Sequence, residues 1–211
     1  MKIYANGYVT FGLNFESRYP DRLSKYLLVN TKRNIAQKKG FAMLAPLWTD
    51  NDARKGKVYY HIYDLTQPGS TLTDKARVKH AVDYAKDDVV ENSGVSVTDV
   101  TWVMVITWSD MLPRMYYSTE YDLPNTFQLV LAYDPSRFQT FIMYHYMDMG
   151  WDSERTLRRS MIGYFSYKYS QEESLQLAPS MKQTAFRMHN RKGNTGRCNK
   201  LSIYNLYQHI C

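Results

Sequence analysis

Residues 100–108, Val-Thr-Trp-Val-Met-Val-Ile-Thr-Trp, constrain the fold more than any other stretch. In an extended chain Trp102, Met104, Ile106 and Trp108 share one face, and Thr101, Val103, Val105 and Thr107 share the other. Both faces are largely apolar. Such a strand needs cover on both sides and belongs inside a sheet, not at a wet edge. The run is far shorter than the roughly 18 apolar residues that mark a membrane-spanning helix, and no other run reaches that length.

The neighbouring segments repeat the strand period. Residues 126–133 and 138–147 flank Asp134-Pro135-Ser136-Arg137, where Pro135 presets a type I turn, and this predicts a hairpin. Asn6-Gly7 predicts a two-residue turn between strands at 3–5 and 8–11. Residues 41–48 read as a buried strand, which Pro46 places at an edge or at a bulge. Residues 57–63 alternate, and 160–168 and 184–188 complete the set. One helix stands out. Thr71 can cap it with Asp74 three residues on, and Val78, Ala81, Val82, Ala85 and Val89 recur at helical spacing. Lys79, Asp83, Lys86 and Asp87 then face outward, and Ser93-Gly94 ends the helix. Residues 13–40 read as a long basic loop with a short helix at 21–29, and 109–124 as a wet loop. The expected fold is mainly β: an antiparallel β-sandwich of about eight strands with one amphipathic helix packed on it. The 19 tyrosines suit half-buried pleated surfaces, with each hydroxyl needing water or a partner.

The net charge of +7 is unevenly spread. Basic excess at residues 1–60 and 151–211 flanks an acidic middle at 61–150, a pattern that suits an anionic partner such as a glycosaminoglycan. No basic-aromatic signature of a nucleic-acid module is present, so nucleic acid is not an expected partner. A solvated basic surface accounts for the charge more simply.

Few residues offer chemistry. Asp50 and Asp52 alternate on an extended segment and, with Asn51 and nearby carbonyls, can supply oxygen ligands for a cation such as calcium. The spacing lacks a full calcium-loop pattern, and a turn held by Asp side chains is the simpler account. A catalytic pair would need a second acid such as Glu120 or Asp148 across a cleft. The five histidines, 61, 80, 145, 189 and 209, show no metal-ligand spacing, and His61 and His145 read as surface or boundary residues. No nucleophile elbow or phosphate loop appears, and no organic cofactor is expected. Tyr117, Tyr121 and Trp151 sit beside charge and are the expected contacts for a sugar or protein partner, unless Trp151 folds back on the core.

Cys198 and Cys211 are the only cysteines. Joined, they close a loop of about a dozen residues, a span worth ~3 kcal/mol as a disulfide. Reduced thiols remain an alternative reading of the same pair. Grouped after a cysteine-free stretch, they also look like the start of a Cys-rich module over 191–211. No Asn-x-Ser/Thr sequon occurs.

Four blocks in order carry a resemblance: "NGYVTFG" at 6–12, "APLWTDNDARKGKVYY" at 45–60, "TWVMVITW" at 101–108 and "NTFQLVLAYDPSRFQTFIMYHYMDMGW" at 125–151. With the helix between the second and third, and "IGYFSY" at 162–167, they resemble the nidogen-like (NIDO) domain. "TAFRM" at 184–188 is a weak version of that family's closing motif and lacks its tryptophan. The resemblance implies a NIDO domain over 1–190, shortened at its N-terminus by one strand. It implies a non-enzymatic, secreted or cell-surface module of basement-membrane and matrix proteins, with matrix or cell-surface proteins as partners. Membrane contact is expected only through other parts of a parent chain. The family supplies no catalytic residues to carry over. Cys-rich modules often follow it, which implies that Cys198 and Cys211 belong to a neighbour's start. The rival expectation from the residues alone is a lectin-like module using exposed Tyr and Trp.

Overall fold

The computed structural model describes residues 1–12, 15–18, 41–93, 99–114, 123–151, 160–168, 171–176 and 200–207. In chain order these form β1 (Lys2–Tyr4), β2 (Tyr8–Gly12), β3 (Phe41–Trp48), β4 (Lys57–Asp64), α1 (Leu72–Ser93), β5 (Trp102–Met111), β6 (Asn125–Asp134), β7 (Gln139–Met149), β8 (Met161–Lys168), β9 (Gln171–Gln176) and β10 (Lys200–Tyr207). Two antiparallel sheets result, ordered β1-β2-β3-β8-β9 and β10-β7-β6-β5-β4. Eight of these strands make the two four-stranded sheets of the expected sandwich, β1-β2-β3-β8 and β7-β6-β5-β4; β9 and β10 add one edge strand to each. The expected helix at 21–29 and strand at 184–188 lie outside the described residues. Within the stretch expected as a tail, β10 pairs along β7, with Tyr204 opposite Ile142. No helix among the described residues is long and apolar enough to cross a membrane.

The two-faced character of β5 has the predicted cause. Met104, Ile106 and Trp108 pack inward with Leu129, Tyr144 and, from the other sheet, Val9, Leu44 and Ile162. Val103, on the opposite face, packs with Val130, Phe141 and the α1 stripe of Val78, Val82, Ala85 and Val89. The helix begins as expected: the Asp74 N–H donates to Thr71 Oγ1 at 3.0 Å. A third cluster closes the outer face of the first sheet, where Tyr8, Phe41, Met43 and Trp48 pack with Phe15.

Three polar tips cross the sandwich. The Trp108 indole donates to the Tyr4 carbonyl at 2.8 Å, the Tyr144 hydroxyl to the Gly163 carbonyl at 2.7 Å, and the Tyr146 hydroxyl to the Pro46 carbonyl at 2.6 Å. Each side chain is fully buried, so each adds apolar area and satisfies a carbonyl of the facing sheet.

Local expectations shift at the first hairpin and at Trp102, and the choice left open at Pro46 is decided. The first hairpin has a three-residue loop, because Tyr4 pairs with Tyr8. Gly7, at φ 83, is its left-handed residue. A Cβ there would stand 2.0 Å from the Leu47 carbonyl oxygen, so space as well as conformation demands glycine. β3 is an interior strand between β2 and β8, and Pro46 falls within the register shift between Ala45 and Trp48, which makes it a bulge proline and not an edge one. Trp102, on the core-facing side of β5, is only partly buried.

Trp108→Ala therefore removes the larger share of core. Urea unfolding should show a loss of about 3–5 kcal/mol for Trp108→Ala and a clearly smaller one for Trp102→Ala. The reverse order would contradict the packing of β5.

Candidate functional site

The corner after β3 is held on three sides. Thr49, Asp50, Asn51 and Asp52 are all buried. The Thr49 N–H donates to the Asn6 carbonyl at 3.0 Å, the Asp52 N–H to Leu112 at 2.8 Å, and the Arg114 N–H to the Asp50 carbonyl at 2.9 Å. The Asn51 amide donates to the Ala5 carbonyl at 2.9 Å. The corner thus ties the first hairpin to the segment that follows β5.

Its carboxylates are engaged by side chains. Asp50 Oδ1 accepts from Arg18 Nε at 2.5 Å. Asp52 accepts from Arg54 Nε at 2.9 Å and from Arg54 Nη2 at 2.9 Å, a two-pronged pairing. The Arg54 backbone N–H also donates to Asp52 Oδ1 at 3.1 Å. Hydrogen bonding from the Arg54 guanidinium, against the opposing effect of burial, holds the Asp52 pKa down at about 2. Its stabilising contribution is complete above the ordinary carboxylate range and fades as pH falls toward 2. Each carboxylate meets its own guanidinium, Arg18 at Asp50 and Arg54 at Asp52, which supplies the positive charge that a shared cation would otherwise bring. Asp52 accepts a local backbone N–H in the manner of a turn, and Asp50 pairs with a residue 32 positions away. Among the described residues, no group of three or more His, Cys, Asp or Glu is placed to hold a metal.

Trp151 takes the second of its two expected placements, folded back on the core. It is 2% exposed; its indole donates to the Met111 carbonyl at 2.8 Å and its N–H to Asn125 Oδ1 at 3.1 Å. The ring has folded back on the core because the indole N–H finds a carbonyl there. Tyr117, Tyr121, Cys198 and Cys211 lie outside the described residues, as does Glu120.

The described residues hold a pocket that sequence reasoning missed. A cavity of about 310 Å³ lies between α1 and the outer face of the second sheet. Val103, Val105, Val130 and Met143 form apolar lining, Tyr63 and Tyr84 are aromatic lining, and Asp88 and His145 contribute polar groups. Asp88 is 3% exposed. His145 Nε2 stands 3.5 Å from Asp88 Oδ2. Burial pushes the imidazole pKa down from 6.5 to about 4. A signal for this pair existed in the sequence. Asp88 is three residues from Ala85 on the apolar stripe, and His145 alternates with Phe141 and Met143 on the helix-covered face of β7. A polar residue at an apolar position on each facing element marks the junction. His61, by contrast, is exposed as expected, with its ring 4.4 Å from that of Tyr63.

Sandwich, covering helix and a corner closed by ion pairs define a β-sandwich module. The chain matches the nidogen-like (NIDO) domain over residues 1–198, and it belongs to that family. The family is one of non-catalytic modules typical of extracellular-matrix and cell-surface proteins. The comparisons with curated proteins and with solved structures return no match.

The lowered value at His145 has a definite sign. Protonation favours the unfolded chain, so its contribution to stability is full above about 6.5 and declines as pH falls toward 4. A side-chain NMR titration of His145 should give a midpoint near 4. A midpoint at or above 6.5 would mean that the Asp88 charge outweighs burial.

Proposed function

We propose that this chain is a non-enzymatic, extracellular interaction module of a matrix or cell-surface protein, serving cell–matrix adhesion. The observation that carries the reading is the NIDO match over residues 1–198. Its partners are matrix or cell-surface proteins, with anionic glycans as further ligands of the basic ends. Tyr117 and Tyr121 are contacts on this reading, and Cys198 pairs with Cys211 in the oxidising space outside the cell.

A lectin-like reading has one observation in its favour. Tyr59, Tyr60 and Ile62 on the edge strand β4 are 54%, 65% and 46% exposed. Exposed rings of this kind can stack on sugars as well as on proteins.

A domain secreted by cultured cells and coated on plastic should support attachment of fibroblasts above an albumin control, and the free domain should compete. In the same preparation Cys198 and Cys211 should resist iodoacetamide until reduced. Absence of attachment together with absence of binding to purified matrix would contradict the adhesion reading. Binding on a glycan array that Tyr60→Ala abolishes would transfer the assignment to the lectin-like one.

A further inference from the structure

We propose that the open edge of β4 pairs with the β4 edge of a second copy of this chain, antiparallel about a two-fold axis at Tyr60. The inference goes beyond the adhesion reading and does not rest on it.

β4 ends the second sheet, and no strand among the described residues pairs on its outer side. The β4–β5 register runs from Lys57 to Asp64 without a shift. It continues to Leu65, whose N–H donates to the Thr101 carbonyl at 2.9 Å. Bonded and non-bonded pairs alternate along an antiparallel ladder. Tyr59, His61 and Tyr63 therefore turn their backbone groups to β5, and Val58, Tyr60 and Ile62 turn theirs outward. The devices that usually blunt an edge are missing from its centre: residues 58–63 hold no proline, no bulge and no Lys, Arg, Asp or Glu.

The edge also has room for a neighbour. Opposed residues share a face, so Val58, Tyr60 and Ile62 lie on the core side with Trp108, Ile106 and Met104 of β5. Those three β5 side chains are buried, while Tyr60 is 65% and Ile62 46% exposed. The first sheet thus stops short of β4 and leaves the strand overhanging. Tyr59 and His61, on the α1 side, are exposed too, so the helix leaves the edge clear. A second copy can approach in the plane of the sheet.

Charge and side-chain matching choose the occupant. Lys55 and Lys57 are exposed at the start of β4, and Asp64 closes it. An antiparallel copy lays each basic end beside the other's acidic end; a parallel copy sets like charges together. With Tyr60 on the axis, Val58 meets Ile62 of the second copy, and the two Tyr60 rings meet, all on the core side. On the other side Tyr59 meets His61, and Lys57 meets Tyr63, whose ring face attracts a cation. Centring on His61 instead sets Val58 against Asp64 and one imidazole against the other, and centring on Tyr59 leaves Ile62 opposite Gly56. The edge is complementary to itself, as a two-fold contact requires.

The test is sedimentation equilibrium of the full chain from about 10 µM to about 500 µM, with amide exchange followed by NMR at both limits. A contact of one strand per copy belongs among small, weak interfaces, and a Kd on the order of 100 µM is expected. The mass should rise toward twice that of the chain. The amides of Val58, Tyr60 and Ile62 should exchange at least about twofold more slowly at the upper limit, while those of Tyr59, His61 and Tyr63 stay protected at both. Tyr60→Pro deletes an outward N–H and no bond to β5, and should remove the association. Ile62→Lys, at an exposed position, should do the same and decides the matter if Tyr60→Pro does not fold. Phe138→Lys, at an exposed ring on the β6–β7 turn, should leave the association intact. A monomer across the range, a dimer in which the three outward amides exchange unchanged, or equal dissociation of the Phe138→Lys variant overturns the proposal. So does a monomer whose Tyr60→Ala variant loses a bound glycan, which assigns the edge to a sugar.

Discussion

The fold depends on large side chains that span the sandwich and end on backbone carbonyls of the opposite sheet. Trp108, Tyr144 and Tyr146 do this from β5 and β7 to Tyr4, Gly163 and Pro46. Apolar burial alone drives the sheets together without fixing how they sit. A hydroxyl or indole N–H that must reach one carbonyl is directional, and a shift of the sheets leaves it unsatisfied at a cost of about 1–3 kcal/mol. This explains why a tyrosine-rich chain can place several tyrosines fully inside. Their polar ends are matched within the core.

The same alignment positions the rest. With the sheets in place, the corner at 49–52 meets both the first hairpin and the segment after β5. Asp50 and Asp52 then serve as anchors for Arg18 and Arg54. The outer face of the second sheet is left for α1. The helix seals it with valines and alanines, and at Asp88 and His145 a polar couple interrupts the seal.

Strand order within hairpins and the helix were legible because each rests on local period. The β5 alternation, the β6–β7 hairpin and the Thr71 cap all follow from neighbours in sequence. What escaped was set by distant partners. For Asp50 and Asp52 a turn was the simpler account and a cation the alternative, and nothing nearby in sequence shows Arg18, 32 residues away, reaching Asp50. Trp151 stayed open between a partner contact and a fold back on the core because its acceptor, Met111, lies 40 residues off. Pro46 left edge and bulge both open, since a missing donor can be accommodated at either, and only pairing with β8 distinguishes them. Asp88 and His145 each violated an apolar pattern, but their meeting needed the helix docked on the sheet.

The most direct measurement is urea unfolding of Tyr144→Phe, Tyr146→Phe and the double variant. Each single change keeps the ring and removes one cross-sheet donor. The account predicts a loss of about 1–3 kcal/mol for each, with the m-value unchanged. Stabilities equal to that of the unmodified domain in all three would mean that the sheets are aligned by apolar packing alone, and would contradict it.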